Sequence, residues 1–533
     1  MKCDWKYGTS MQFYSLAFVI FITVATAAYY AIGRFVGKGQ WIVLLCASIA
    51  FYAFSGWQNL IFIGTTALTI WLSGLAFAHF ETLSKEARKA AGSREEKKAI
   101  KEHYRFYKRL VLVAALIINF GILGYIKYAE VLVGYIVPNS HWTSGILLPL
   151  GISFYTFQTV SYAIDTYNAK YDPERNFAKY LLFASWFPQL IQGPINRFDL
   201  LAQQLFEPHS FSAHEARGAF LQICYGALKK FAVANILLLT IDPIIAHIDP
   251  SIPGSVVVIG ILFYAIYQYA DFSGGIDMAL GFSRLFGIHM SPNFRQPYFS
   301  ISLGDFWRRW HITLGAWMRD YVFYPFALLP GIKRWSKWLN AHCGRHLSRT
   351  LPAGIANILV FFLVGLWHGA ESHFILWGLY NGIVIAASDM LTPLWDRMNK
   401  ALHIDVGGKG HHVFAIIRTF IVVNIGWYFD LIEGVGNLNI AFSNTLFNFR
   451  PDLALAAIKS YVPHNAIIGL ALADIVCIVI FVVSVLKEND RDVSERVLGA
   501  PAVVRGLIYG MMIVAIATSF VFAPAGGFMY ANF

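Results

Sequence analysis

The amino-acid sequence predicts an all-α integral membrane protein, and two features of its composition support this fold class. Of its 533 residues, 57% are hydrophobic and only 14% are charged, whereas soluble domains carry about 25% charged residues. The apolar residues also form long blocks, near the roughly 20 residues that a helix needs to cross ~30 Å of hydrocarbon. A transmembrane β-barrel would instead show short segments of alternating polarity.

The apolar blocks predict about eleven transmembrane helices, accompanied by shorter re-entrant and interfacial helices. No low-complexity linker divides the chain, so we expect a single membrane domain over residues 1–533. The blocks lie at 13–33, 41–58, 59–79, 110–127, 219–247, 254–270, 351–367, 374–390, 413–429, 464–486 and 504–523.

A basic stretch at residues 81–109 indicates how the chain is oriented. Lysines and arginines outnumber glutamates there, and basic loops of this kind mark the cytoplasmic face of a membrane protein. The net charge of +11 therefore reflects topology, and no nucleic-acid partner is expected. Contact with anionic membrane lipids is the alternative role for the basic excess.

Residues 145–205 are predicted to form re-entrant elements around an internal cavity. Their apolar pieces are short and are broken by Pro and Gly, as in the sequences LPLG (148–151), WFPQ (186–189) and QGP (192–194). Irregular backbone at membrane depth is tolerated only where protein covers it or where it lines a wet cavity.

Residues 302–324 alternate large aromatic residues with paired arginines. On one helix, Trp307, Trp310, His311 and Leu314 would share a stripe. This pattern predicts an amphipathic helix at the membrane interface, with its aromatic side chains inward and its arginines toward headgroups. A histidine on the apolar side of such a helix is ordinarily a hydrogen-bonded core residue.

Two carboxylates, Asp271 and Asp277, end an apolar run. An ionisable residue deep in a bilayer costs ~2.5–3.5 kcal/mol on insertion scales, so each needs a structural or functional reason. Pairing with an arginine, or capping a helix after the glycines, is the structural explanation.

His368 lies at the end of an apolar segment, between Trp367 and Gly369. Glycine leaves room beside the ring, and an imidazole exchanges protons near neutral pH, as acyl transfer requires. A gating or packing histidine is the alternative. The sequence holds no Gly-x-Ser-x-Gly, Walker or HExxH motif, and its five cysteines show no metal-binding spacing, so no metal site is predicted. His311 and His368 are the strongest candidates for chemistry.

An ordered series of motifs resembles the membrane-bound O-acyltransferase (MBOAT) superfamily over nearly the whole chain. The similarity is to its bacterial branch, which contains the alginate O-acetyltransferase membrane subunit and the teichoic-acid D-alanyl transfer protein. The motifs are LPLGISFYTFQTVSYAIDTY (148–167), ERNFAKYLLFASWFPQLIQGPINRF (174–198), YADFSGGIDMALGFSRLFGI (269–288), PNFRQPYF (292–299), FWRRWHITLGAWMRDYVFYPF (306–326), GLWHGA (365–370), RTF (418–420) and FMYANF (528–533).

The resemblance implies a ring of helices around a thin floor and a central tunnel, with a catalytic core at about 145–390. It makes His368, of the WHG motif, the principal catalytic residue, and His311 the second, although the superfamily often has Asn at that second position. Substrate-binding roles then fall to Trp367, Gly369, Trp310, Asp271 and Arg319, with a structural or headgroup role as the alternative for Asp271 and Arg319.

The resemblance also implies transfer of acetyl groups from a cytoplasmic donor, with acetyl-CoA expected, to hydroxyls of a cell-envelope or exopolysaccharide. An extracellular acetyltransferase partner would complete the transfer, and the protein would be a multi-pass protein of the cytoplasmic (inner) membrane. Two departures leave the substrate open: Phe326-Ala327-Leu328 replaces Leu-Gly-Gly, and Asn381 replaces a histidine. D-alanyl transfer to teichoic acid, acylation of another envelope substrate, and a non-enzymatic conduit or secretion scaffold are the alternatives.

Overall fold

The computed structural model describes residues 11–54, 56–137 and 149–528. Within these ranges the secondary structure is helical, and the only β-type pairing is a single antiparallel bridge between Phe294 and Trp310. The all-α prediction is therefore confirmed. Cys3, residues 145–148 of the predicted re-entrant region and the last five residues of the FMYANF motif lie outside the described residues.

The N-terminal helices are long and apolar. Ser15 caps the first, since its hydroxyl accepts a hydrogen bond from the backbone N–H of Phe18 at 3.1 Å. The first two helices run antiparallel, because the ring of Phe51 lies 6.0 Å from that of Phe18 and 5.8 Å from that of Phe21. The helices are α1 Leu16–Val36, α2 Gln40–Phe54, α3 Leu60–Ala90 and α4 Arg94–Ile136.

Short, buried helices follow, where the sequence predicts re-entrant elements. Side chains satisfy their interrupted backbone: Gln158 donates to the carbonyl oxygen of Phe183 at 2.8 Å, and Asn196 donates to Gln189 at 3.0 Å. Whether these helices re-enter the membrane stays a prediction. They are α5 Ile152–Tyr167, α6 Phe177–Ser185, α7 Phe187–Gln192 and α8 Phe198–Phe206.

The next helices carry buried charge. α9 continues through a π-helical turn, Lys230–Ala234, into α10, and its lysines meet the carboxylates of α11. Lys230 pairs with Asp271, with both side chains almost fully buried, and Lys229 pairs with Asp277. The predicted arginine partners and helix caps are therefore wrong, because both carboxylates lie inside a helix and lysines neutralise them. These helices are α9 Ala213–Lys229, α10 Asn235–Ala246 and α11 Gly254–Arg284.

Residues 302–324 do not form the single amphipathic helix that the aromatic spacing predicts. The helix stops before Trp310, and His311 takes a left-handed conformation, with φ 47° and ψ 52°, before a second short helix begins. The long helix that follows is bent at Gly344, where φ is 85°. The helices in this part are α12 Leu303–Arg309, α13 Ile312–Met318, α14 Tyr324–Ala327, α15 Pro330–His368 and α16 Ser372–Met390.

The C-terminal region begins with an amphipathic helix, α17, which exposes Leu394, Trp395 and Met398 beside charged residues. Longer apolar helices follow it. The C-terminal helices are α17 Thr392–Ala401, α18 Lys409–Leu431, α19 Val435–Phe447, α20 Pro451–Tyr461, α21 His464–Glu488, α22 Val493–Leu498 and α23 Ala502–Phe522.

Eight helical stretches of the described residues are long and apolar enough to cross a membrane, or nine when the bent pair α16 and α17 is included. The protein is therefore a multi-pass membrane protein, although the predicted count of about eleven is not confirmed. The difference arises because Leu16–Phe54, which contains both α1 and α2, counts once, and because the block 219–247 is absent from the set.

The chain forms two compact units. One contains Leu221–Met278 and Pro292–Gly526, and the other contains the described residues of Lys2–Phe220, Ala279–Ser291 and Gly527–Phe533. Both candidate histidines lie in the unit built from Leu221–Met278 and Pro292–Gly526. The single domain over 1–533 and the central tunnel stay predictions.

Candidate functional site

His311 lies between α12 and α13, where a short backbone pairing with residues 293–295 holds it. The N–H of Arg295 donates to the carbonyl oxygen of Arg309 at 2.9 Å, and the N–H of Ile312 donates to that of Asn293 at 3.0 Å. These bonds replace the helical hydrogen bonds that a continuous helix would make. The left-handed backbone of His311 is therefore stabilised from both sides, although this conformation is uncommon for a residue other than glycine.

The tautomer of His311 follows from its neighbours. The backbone N–H of Thr313 donates to the Asn293 side chain at 3.0 Å, so the accepting atom there must be the amide oxygen, Oδ1. The same oxygen lies 3.2 Å from Nδ1 of His311. Because Oδ1 cannot donate a proton, Nδ1 must carry one, and Nε2 of the neutral ring holds the lone pair.

The imidazole of His311 lies in an apolar environment. The residue is 3% exposed, and the ring of Phe272 on α11 meets it edge-on at 4.8 Å. Burial lowers the pKa of the His311 imidazole well below its usual range, because a buried cation loses its hydration. The ring is therefore neutral at physiological pH.

His368 is the last residue of α15 and is half-buried. Its ring lies 5.0 Å from that of Trp377 and 5.9 Å from that of Phe374, both on α16. His368 is therefore less buried than His311, although aromatic rings of α16 pack against its imidazole.

Glycines let α15 and α16 approach closely enough to build this environment. A Cβ added to Gly365 would overlap the carbonyl oxygen of Phe374, and one added to Gly378 would overlap that of Phe361. A Cβ on Gly382 would come within 2.8 Å of the Cα of Ile358. Small residues at helix contacts are the usual means of close helix packing in membranes.

Trp367 connects the two histidines. Its indole is 4% exposed, lies 4.9 Å from the ring of His368 and lies 6.3 Å from the ring of His311. Residues that are 57 positions apart in sequence thus border one aromatic side chain. The structure therefore brings together His311, Trp367 and His368.

Trp310 and Gly369 lie next to these residues in sequence and shape the surroundings. Trp310 is 2% exposed and packs against Phe294 at 5.1 Å and Trp427 at 5.6 Å. A Cβ on Gly369 would overlap the carboxylate of Glu371. The carboxylate of Glu371 therefore occupies the space that Gly369, the residue after His368, leaves free.

Asp271 and Arg319 each pair with another charged residue. Asp271 is fully buried against Lys230. Arg319 has a largely exposed side chain and pairs with its neighbour Asp320 at 3.0 Å. Whether these two residues bind substrate or have a structural role stays a prediction.

Sequence reasoning missed Asn293, Phe272 and Trp377 as neighbours of the histidines. Asn293 and Phe272 lie within motifs that carry the family resemblance, yet no spacing rule connects them with His311. Asn381, which departs from the family pattern, accepts a hydrogen bond from Nε1 of Trp307 at 3.0 Å. The described residues contain no group of three or more His, Cys, Asp or Glu side chains that could hold a metal ion.

Fold and site together define a multi-pass α-helical membrane protein in which two imidazoles lie beside one indole. Comparison with known proteins identifies the class of chemistry. Residues 174–416 match the model of the MBOAT, membrane-bound O-acyltransferase family. The chain belongs to this family, and it is an O-acyltransferase.

The relatives carry related activities in their names. The probable alginate O-acetylase AlgI of Pseudomonas syringae pv. tomato is 33% identical over 81% of this chain and 74% of its own. The peptidoglycan O-acetyltransferase of Helicobacter pylori is 29% identical over 73% and 70%. The teichoic acid D-alanyltransferase of Bacillus subtilis is 28% identical over 52% and 67%.

Proposed function

We propose that the protein transfers acetyl groups from acetyl-CoA, entering from the cytoplasm, to hydroxyl groups of a cell-envelope or exopolysaccharide. The observation that supports the proposal is that the rings of His311 and His368 both lie beside the ring of Trp367. The relatives named as alginate O-acetylase and peptidoglycan O-acetyltransferase support acetyl as the acyl group and a polysaccharide as the acceptor.

In this proposal His368 acts as the general base on the accepting hydroxyl, or helps to relay the acyl group toward the outer face; the general-base step is as follows. It takes the proton of the accepting hydroxyl as the oxygen attacks the thioester carbonyl, so a C–O bond forms and the C–S bond breaks. The proton then passes to the departing thiolate, which leaves as the free thiol. General-base assistance of this kind is worth about 10²–10⁴ in rate.

His311 and Trp377 stabilise and orient the reacting groups. Nε2 of neutral His311 accepts a hydrogen bond from the substrate, because Asn293 holds the proton on Nδ1. The indole N–H of Trp377 is buried and has no acceptor within the described part of the chain. Since the ring adjoins His368, the proposal assigns to this N–H a hydrogen bond to the carbonyl oxygen as it gains negative charge.

The remaining candidates divide into two groups. Trp367, Trp310 and Gly369 shape the pocket within a catalytic core at about 145–390. The contacts of Asp271 and Arg319 support structural roles, since each has a charged partner of its own.

The test is acetyl incorporation into polymer by membranes that contain His368→Ala. We expect a loss of at least about 10²-fold, because the base is removed. His342→Ala is the matched control: it lies on the same helix, is exposed, and stacks on Trp338 at 4.6 Å. Incorporation near the wild-type level by His368→Ala, at normal protein levels in the membrane, would remove His368 from its role.

D-alanyl transfer is the second candidate, supported by the relatives named teichoic acid D-alanyltransferase. Labelled acetyl and D-alanyl donors offered to the same membranes distinguish the two. Acylation of another envelope substrate would show as label outside the polymer.

An extracellular acetyltransferase partner that completes the transfer is also part of the proposal. Purified protein that acetylates polymer alone would remove the need for this partner. The rival class, a non-enzymatic conduit or scaffold of a secretion complex, predicts no acyl transfer or hydrolysis by the purified chain with any labelled donor.

A further inference from the structure

A cavity lies in the unit that contains α1, α2 and α8. It is a cleft of about 680 Å³ beside the turn between α1 and α2, and the segment after α8 forms its other wall. Tyr30, Arg34 and Gln40 line it from the helices, and His209, Ser210 and Phe211 line it from the segment. Neither histidine of the proposed acyl-transfer site takes part.

One buried side chain holds the cleft open. Gln40 is 2% exposed. Its amide nitrogen donates to the carbonyl oxygen of His209 at 3.0 Å, and its amide oxygen accepts from the N–H of His209 at 2.8 Å. The Gln40 side chain crosses α1 at Gly33, where an added Cβ would overlap it. The wall at 208–211 is therefore fixed to α1 before any ligand binds.

The cleft presents hydrogen-bond donors and positive charge without a carboxylate. The exposed side chain of Arg34 makes no ion pair or hydrogen bond with a residue of the described ranges, and no Asp or Glu lines the cavity. Glu215, on α9, is already engaged by Arg284 at 2.6 Å. An unpaired guanidinium beside a serine hydroxyl is suited to phosphate, which it can bind through two parallel hydrogen bonds.

The surroundings indicate that the phosphate belongs to an amphiphile. Leu16, Ile20, Val24 and Phe35 are exposed on α1 at helical spacing, and they form an apolar stripe that leads to the cleft. Tyr30 and Phe211 meet edge-on at 5.4 Å at its border, and tyrosine is enriched where membrane helices reach the headgroups. Inorganic phosphate has no apolar part that could contact this stripe.

We propose that this cleft binds the headgroup of an anionic phospholipid, with the phosphate on Arg34 and the acyl chains along the α1 stripe. The site is separate from the proposed acyl-transfer site, so it does not depend on the acceptor or the donor of that reaction. Since the cleft is preformed, binding selects the headgroup charge and does not require a change of fold.

The test uses the full-length protein, delipidated in detergent and titrated with short-chain phosphatidylglycerol or with phosphatidylcholine of the same chains. We expect phosphatidylglycerol to bind more tightly and Arg34→Ala to weaken it about tenfold, since a charge-assisted hydrogen bond is lost. Arg34→Lys keeps the charge but lacks the planar guanidinium, so its affinity for phosphatidylglycerol should lie between those of the wild type and Arg34→Ala. Arg397→Ala, an exposed arginine on α17 outside the cleft, is the matched control and should bind as the wild type does.

Three results would overturn the proposal. One is equal affinity for the two lipids. Another is an equal loss in Arg34→Ala and Arg397→Ala, which would indicate non-specific surface charge. The third is competition by inorganic phosphate at the concentration of the lipid, which would assign the cleft to a small anion. Melting temperatures of the lipid-free variants, expected to match the wild type, separate a binding loss from misfolding.

Discussion

His311 combines two properties that a single side chain must satisfy: a left-handed backbone and a buried hydrogen bond to Asn293. Asparagine tolerates the left-handed region and has a short polar side chain, whereas a β-branched residue does not tolerate it. Asn, which the resemblance to the superfamily implies at this position in many members, is compatible with both properties.

We therefore predict that His311→Asn folds with a melting temperature near that of the wild type but loses transfer activity. His311→Val should lower the free energy of unfolding by at least about 1–2 kcal/mol, because of its backbone alone. Thermal unfolding in detergent checks both variants. Equal stability of the two would show that the left-handed conformation does not constrain this residue.

The lowered pKa of His311 makes stability depend on pH. Below about pH 6.5 the unfolded chain takes up a proton at this histidine, while the folded chain does not until the lower folded pKa is reached. Stability should therefore fall with pH from about 6.5, and at pH 5 this residue should cost about 2 kcal/mol. His311→Asn lacks this contribution. The difference in melting temperature between pH 8 and pH 5 should be smaller in the variant than in the wild type.

At the scale of elements, the close contact of α15 and α16 positions His368 against Trp377. Gly378→Ala would force the two helices apart, since the new Cβ meets backbone that cannot rotate away. We expect a loss of about 1–3 kcal/mol, as for an overpacked core, and a fall in transfer activity.

Gly506→Ala on α23 is the control for this prediction, because nothing lies within 4 Å of its added Cβ. It should be neutral or stabilising by about 0.5–1 kcal/mol, since alanine favours the helix. Unfolding curves and acetyl incorporation of both variants provide the measurement. Full activity in Gly378→Ala would mean that the spacing of α15 and α16 does not control the site.

Across the whole molecule, a membrane protein must neutralise each charge that it buries. Lys230 and Asp271 do so for each other between the π-helical turn and α11. Lys230→Met leaves a buried carboxylate without this partner and should cost about 3–5 kcal/mol, whereas the double variant with Asp271→Leu should recover most of the loss. A double-mutant cycle of unfolding free energies measures the coupling. If the losses in unfolding free energy of the two single variants were additive in the double variant, the two residues would not be coupled.

Much of this architecture is predictable from sequence, because hydrocarbon thickness dictates helix length. The long spans, and the histidines with their neighbouring tryptophans, follow from apolar blocks and motifs. Periodicity alone predicts one helix through His311, since it cannot register the backbone pairing with Asn293 that breaks it. The lysine partners of Asp271 and Asp277 could not be predicted from the sequence either. They lie 41 and 48 positions away, and such pairing depends on which helices meet. Trp377 reaches His368 only through glycine-mediated packing.

The bond between Asn293 and His311 also has a spectroscopic consequence. The chain holds 16 histidines, and a ring without a fixed hydrogen-bond partner exchanges between its two tautomers. In a sample with nitrogen-15 histidine, His311 should instead retain one protonated and one bare ring nitrogen as the buffer is acidified from pH 8 to pH 5. Asn293→Ala removes the acceptor of the Nδ1 proton, so the ring should stay neutral over this pH range while resonances of both tautomers appear.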